Sequence, residues 1–240
     1  FANSILAVLV GYLVNLALPR AGEISRATVM TNYENIPFEK GFGTIVAERI
    51  ADLIMMLSIL AITLFVQFDF IYELLTKNFN PTKIIIGLAI LSIGFFIFTS
   101  FVKKATSGFL LKIKTFVAGL IEGVTSIFKM KNKWAFIFHT LFIWTMYVAM
   151  FWATIPAIEG LEVPFGGILI GFIAGGFSIA ATNGGIGLYP IAVASALALF
   201  DIPAETATAF GWIMWTAQTA MIIIFGGLAF LCLPIYNKNK

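Results

Sequence analysis

The chain has 240 residues, of which 60% are hydrophobic and 11% charged, with a net charge of +3 and a mean hydropathy of +0.98. Soluble domains average about 45–50% apolar and about 25% charged residues, so this composition excludes an ordinary water-soluble fold, a disordered chain and a nucleic-acid module. It points instead to a polytopic membrane protein, whose helices need ~20 residues each to cross ~30 Å of hydrocarbon.

The apolar stretches do not alternate as barrel strands would, so they are read as helices. The first runs from about Phe1 to Leu18. The second, about Gly43 to Phe68, carries Glu48, Arg49 and Asp52 near its start. The third, Ile84 to Val102, has no charge, and the fourth, Trp134 to Ile155, holds the single histidine, His139. A long fifth region, Phe165 to Phe200, is interrupted by ATNGGIGLYP from Ala181 to Pro190, and the last stretch is Ala207 to Leu233. The whole of 1–240 is expected to form one transmembrane domain, truncated at its N-terminus because the first residue is Phe and no signal-peptide pattern precedes it.

Charge sets the expected orientation. Lys103 to Lys133 holds seven lysines and one acid, which places this loop in the cytoplasm. The tail, with Lys238 and Lys240, is expected on the same side. The links carrying Glu159 and Glu162, and Asp201 and Glu205, are acidic and belong on the other side. Phe165 to Phe200 must then begin and end on one side. Its arms of 18 and 15 residues suit a re-entrant hairpin with NGGIG at the tip. Within the first arm, Gly167, Gly171 and Gly175 form a small-residue stripe for close helix packing. Phe109 to Phe128 is amphipathic, with Phe109, Ile113, Phe116, Leu120, Val124 and Ile127 on one face and Lys112, Thr115, Gly119, Glu122 and Ser126 on the other. It reads as an interfacial helix on anionic headgroups or as a loop helix packed on the bundle.

Three constellations could carry chemistry. Pro19 and Gly22 break the first helix, and Arg20, Glu23 and Arg26 follow at spacings of three. If a helix resumes at Gly22 they share a stripe, Glu23 pairs with one arginine, and the other is free for phosphate oxygens. The alternative is a loop with a routine ion pair. In Ala47 to Asp52, Glu48 and Asp52 share a helix face and Arg49 reaches Asp52. Charges at that depth mark either a functional site or a structural network, with Arg20 or Arg26 as the expected partner. In Asn183 to Pro190, the helix after Gly184, Gly185 and Gly187 would present its N-terminal amides to an anion, or the glycines are a passive break.

Other chemistry is thinly represented. Cys232 is the single cysteine, and there is no HExxH, CxxC, Walker A or G-x-S-x-G pattern. No catalytic residue, metal site or cofactor is therefore expected, and the chain leans away from being an enzyme. His139 reads as a packed or interfacial histidine. An offset of 165 residues aligns Gly11 with Gly176, Gly22 with Gly187 and Ala27 with Ala192, the pattern of a weak internal repeat. Corresponding broken segments in two halves point to a transporter site between inverted repeats.

At N-x3-P-R-x-G-E-x2-R (Asn15 to Arg26), A-E-R-x2-D (Ala47 to Asp52) and N-G-G-I-G (Asn183 to Gly187), the chain resembles the lysylphosphatidylglycerol synthase transmembrane-region family, the flippase-like membrane domain. The family often has Pro before these glycines and Glu after them; Asn183 and Tyr189-Pro190 occupy those places here. The resemblance implies an integral bacterial or archaeal membrane protein linked to moving or modifying lipids. Some members fuse this domain to a soluble aminoacyl transferase.

The combined expectation is an all-α, polytopic helix bundle of the cell membrane with broken or re-entrant helices, working as a lipid translocase. Its substrate-binding set would be Asn15, Arg20, Glu23, Arg26, Glu48, Arg49, Asp52, Asn183, Gly184, Gly185 and Gly187. Its partners would be lipids with anionic headgroups, not nucleic acid, and a homo-oligomer is compatible with the sequence. The rivals are a membrane-embedded transferase using a lipid-linked donor and a non-transporting scaffold.

Overall fold

The structure is a computed structural model and describes residues 1–78 and 80–238, with some side chains between 74 and 126 outside the description. The side chains of Phe116, Leu120, Glu122, Val124 and Ser126, and all of Lys240, lie outside the described residues, as therefore do the readings placed on them. Among the described residues the fold is an all-α helical bundle without strands. Three of the described helices are long and apolar enough to cross a membrane: Phe38–Val66, Lys133–Ala157 and Ala204–Tyr236.

The helices in chain order are α1 (Ala2–Ala17), α2 (Ala21–Glu34), α3 (Phe38–Val66), α4 (Phe68–Asn78), α5 (Pro81–Lys104), α6 (Gly108–Lys129), α7 (Lys133–Ala153), α8 (Phe165–Ala181), α9 (Leu188–Ala198) and α10 (Ala204–Tyr236). They group into two compact units, Phe1–Ile59 with Phe138–Lys240, and Leu60–Ile137. In the second unit, α5 starts on Asn80, whose side chain accepts from the Thr82 amide with Pro81 at the first helical position. It ends where Lys114 of α6 donates to the carbonyls of Lys103 and Ala105. A lysine at a helix C-terminus satisfies orphan carbonyls and complements the dipole. Lys114 is thus a joint between α5 and α6, not a free surface charge. Phe109, Val117, Ile121 and Phe128 of α6 are exposed, while Ile127 is buried.

In the first unit, α10 is the common post. It packs against α1 on one stretch and α9 on another, while α1 pairs with α2 and α8 with α9. The core around α9 is built from Phe151, Val193, Leu197, Ala207 and Phe210, all with 0% exposure. The glycine stripe of α8 serves packing. A methyl on Gly171 would meet the Phe151 ring, and one on Gly175 would meet Tyr189. Gly211 of α10 lets the backbone of Pro190 approach, where a Cβ would come within 2.8 Å.

Two short-armed hairpins result. At 1.5 Å per residue, the 16- and 14-residue arms of α1 and α2 are roughly 24 and 21 Å long, and the 17- and 11-residue arms of α8 and α9 roughly 26 and 17 Å. Buried Asn3 at the start of α1 pairs with Asn237 at the end of α10, each side-chain amide donating to the other's carbonyl at 2.8 Å. Asn3 also donates to Glu34 at the end of α2. The α1–α2 hairpin therefore opens at the C-terminal end of α10. The α8–α9 hairpin is joined to the N-terminal end of α10 through 199–203. Short, short, long recurs: α8, α9 and α10 begin 163, 167 and 166 residues after α1, α2 and α3. The residue-level correspondences are weaker. Gly11 faces Gly22 across the first hairpin, whereas Gly176 faces Met56 of α3 and Gly187 has open space.

Candidate functional site

The first break is built by its own sequence. Leu18 is extended (φ −130°, ψ 109°), the conformation expected before a proline. Arg20 follows in the left-handed region at φ 63°, uncommon for a residue with a side chain. Arg20 is therefore outside α2, which begins at Ala21, and the expected stripe of Arg20, Glu23 and Arg26 loses its first member. Its side chain is exposed at the turn, and no carboxylate of the described residues lies within 4 Å of it. Asn15 plays a structural part. Its side-chain oxygen accepts from the Gly22 amide at 2.7 Å, satisfying one orphan donor at the start of α2.

The expected pairing of Glu23 with an arginine is not what forms. Arg26 instead crosses to α3, with Nη1 2.6 Å from Glu48 Oε2 and Nη2 2.8 Å from Oε1, a two-pronged contact. The side chains are 25% and 32% exposed, so the pair is partly desolvated and stronger than a surface ion pair. This is the expected contact between the Arg20–Arg26 segment and the Glu48–Asp52 helix. Glu23 is left with a buried Oε2 that has no hydrogen-bond partner among the described residues.

One turn along α3, Asp52 sits between Arg49, at 3.3 Å, and the indole of Trp144 on α7, which donates to it at 3.1 Å. Beside Trp144, ring to ring, is Tyr147, whose hydroxyl lies 3.3 Å from that of Tyr12 on α1. Sequence reasoning missed Trp144, Tyr147 and Tyr12. Partners 92 and 135 residues apart leave no local pattern; the one signal in the sequence was an acid within an apolar run, in need of a donor.

The second break meets the first. Gly184, Gly185 and Gly187 take φ of 65°, 77° and 71°, which residues with a Cβ rarely adopt. The Asn183 side chain donates to the carbonyl of Leu16 in the last turn of α1 at 2.8 Å, and Trp215 of α10 donates to Gly184 at 2.9 Å. The start of α9 offers fewer amides to an anion than the glycine pattern suggests. The Tyr189 amide already donates to Gly185, and Pro190 has none. His139 is exposed at the edge of the Phe138 ring. Among the described residues no three His, Cys, Asp or Glu side chains group as a metal site.

The arrangement therefore joins an exposed arginine, two carboxylates locked to arginines, and two hairpin turns in contact. A family model for the lysylphosphatidylglycerol synthase TM region matches residues 1–226. The chain belongs to this family. It is an integral membrane protein of a family linked to lipid handling. No curated protein and no solved structure matches it.

A charge swap tests the α2–α3 lock. Glu48→Ala leaves the Arg26 guanidinium unpaired and is expected to cost about 2 kcal/mol, between surface and fully buried ion pairs. The Arg26→Glu, Glu48→Arg double change should recover part of that loss in the unfolding midpoint of the solubilised protein. A double variant no better than the sum of its single changes would contradict the pairing.

Proposed function

We propose that this protein is a lipid translocase of the cytoplasmic membrane, with Arg20 receiving the phosphate of an anionic lipid headgroup. The observation that carries this reading is the contrast between the arginines. Arg26 and Arg49 already hold carboxylates, whereas Arg20 is exposed, without a carboxylate within 4 Å among the described residues, at the turn where two hairpins meet. A guanidinium fork matches phosphate oxygens, and a membrane protein rarely leaves such a charge unpaired without a use for it.

In this reading α1–α2 and α8–α9 are re-entrant hairpins entering from opposite faces, related as an inverted repeat. Neither pair of arms is long enough to cross ~30 Å twice, and the hairpins open at opposite ends of α10. Irregular backbone at membrane depth is tolerated where protein or a watery cavity surrounds it, and each turn supplies surroundings for the other. The headgroup passes along the polar strip of Arg20, Asn183 and the flanking carboxylates, and the acyl chains stay in lipid. Glu48 holds α3 to α2, and Asp52, paired with Arg49 of its own helix, holds α3 to α7 around that strip.

The direct test is reconstitution. Protein-containing vesicles should equilibrate fluorescent phosphatidylglycerol between leaflets faster than protein-free vesicles; equal rates across anionic and glycosylated lipids would favour the transferase or scaffold. The topology has its own check, in a Cys232→Ser background because Cys232 is exposed. Single cysteines at Glu159 and Asp201 should label from one side and a cysteine at Ser107 from the other. Labelling of positions 159 and 201 from opposite sides would contradict the hairpin.

A further inference from the structure

We propose that Tyr12, Tyr147, Arg49 and Asp52 form a second headgroup subsite, one that takes the uncharged, hydroxyl-bearing part of a lipid headgroup, such as glycerol or a sugar. The proposal deepens the translocase reading above and rests on it for the lipid. Position carries it first. Asp52 lies at the middle of the 29-residue α3, roughly 20 Å from either end, and Trp144 at the middle of the 21-residue α7. Both helices are long and apolar enough to span, so the cluster belongs near the midplane of the bilayer. Polar groups at that depth are costly and mark substrate paths, and transporter sites gather there. Yet these groups are not sealed off. The side chain of Arg49 is 55% exposed and that of Asp52 35%, and Tyr12 and Tyr147 are exposed too.

Their chemistry selects the ligand. The buried Trp144, backed by Phe172, donates its indole N–H to one Asp52 oxygen and fixes that carboxylate. The other oxygen meets Arg49 through one nitrogen at 3.3 Å, which leaves the rest of the guanidinium fork open. The Tyr147 hydroxyl interacts electrostatically with both members of this pair and lies 3.3 Å from the Tyr12 hydroxyl. One of the two hydroxyls donates to the other, so one phenolic proton is left for a ligand. The cluster therefore offers donors and acceptors together, with its one cation set against its one anion. A second phosphate would meet the Asp52 carboxylate, and an ammonium would meet the Arg49 guanidinium. An alcohol group donates and accepts at once and meets neither penalty. The exposed tyrosine rings supply apolar faces for its C–H groups. A site that hydrogen-bonds a substrate hydroxyl rejects the analogue lacking it, because its own polar groups are then left unpaired.

The experiment measures equilibrium binding of short-chain lipids to the whole chain in detergent, without transport. Phosphatidylpropanol is the matched probe, since it has the phosphate and the three-carbon headgroup of phosphatidylglycerol but no headgroup hydroxyl. Phosphatidylglycerol should bind roughly tenfold tighter, and phosphatidylethanolamine no tighter than phosphatidylpropanol. Tyr12→Phe and Tyr147→Phe each remove one oxygen and keep the ring. Each should cut the preference by about threefold or more, with phosphatidylpropanol affinity unchanged as the check that the variant is folded. Arg20→Ala should weaken both lipids alike and keep the preference. Glucosyl diacylglycerol, with hydroxyls but no phosphate, should respond to Tyr147→Phe as phosphatidylglycerol does. Equal affinities for phosphatidylglycerol and phosphatidylpropanol in wild type overturn the proposal, even where a variant fails to fold. A preference untouched by both tyrosine changes, or tighter binding of phosphatidylethanolamine than of phosphatidylglycerol, also overturns it. Free glucose bound with the same dependence on Tyr147 overturns the lipid assignment. Wild-type protein that keeps the preference but moves no lipid overturns the translocase reading and leaves the subsite standing.

Discussion

Gly22→Ala should be the most damaging single methyl in the protein. A Cβ there would run into the carbonyl oxygen of Gly11 and come within 2.6 Å of the Asn15 side chain. Neither obstacle is the far end of a flexible chain, since one is backbone and the other is held by its hydrogen bond to Gly22 itself. Relief requires α1 and α2 to part, which loses the Asn15 cap and moves Leu16 away from Asn183. Overpacking of this kind costs up to ~3 kcal/mol, with about 1 kcal/mol more for the lost cap. Thermal unfolding of the solubilised protein checks this, with Gly43→Ala as the control. Gly43 lies in α3 with nothing within 4 Å, so alanine there should be neutral or slightly stabilising. Gly11→Ala, with the Gly22 oxygen at 3.2 Å, should fall between the two. Equal midpoints for Gly22→Ala and Gly43→Ala would contradict the close crossing.

Helices driven by composition were legible in the sequence. The apolar stretches at 84–102, 134–155 and 207–233 lie within α5, α7 and α10, give or take a turn, and the break within Phe165 to Phe200 falls inside the glycine run. The part of α2 beyond Arg26 and the whole of α4 were not foreseen. Neither carries a long apolar run, and α2 gains its stability from Asn15, Gly11 and Glu48 on other elements. Among the site residues, the contact of Arg26 with Glu48 followed from the rule that membrane charges seek partners. The choice of Arg26 over Arg20 did not. It depends on a left-handed residue at 20, which takes Arg20 off the helix and leaves Arg26 facing α3. The Asn3–Asn237 pair was invisible for another reason. Its members are 234 residues apart, and an asparagine in an apolar run signals a buried partner without naming it.

Arg20→Ala should have the largest effect on transport. A phosphate on the Arg20 guanidinium would be held by charge-assisted hydrogen bonds worth about 1.5–3 kcal/mol each, so on the proposed function losing the side chain should slow translocation by roughly 10- to 100-fold. The fold should be unaffected, because the side chain is exposed and plays no part in the α2–α3 lock. Lysine keeps the charge but not the fork, and should restore only part of the rate. Lys40→Ala, an exposed charge at the start of α3, should leave the rate unchanged. The decisive measurement is the transbilayer rate of fluorescent phosphatidylglycerol in vesicles holding equal amounts of folded wild type, Arg20→Ala, Arg20→Lys and Lys40→Ala. Phosphate capture by Arg20 predicts a rate order of wild type and Lys40→Ala, then Arg20→Lys, then Arg20→Ala close to protein-free vesicles. An Arg20→Ala rate equal to wild type would contradict it.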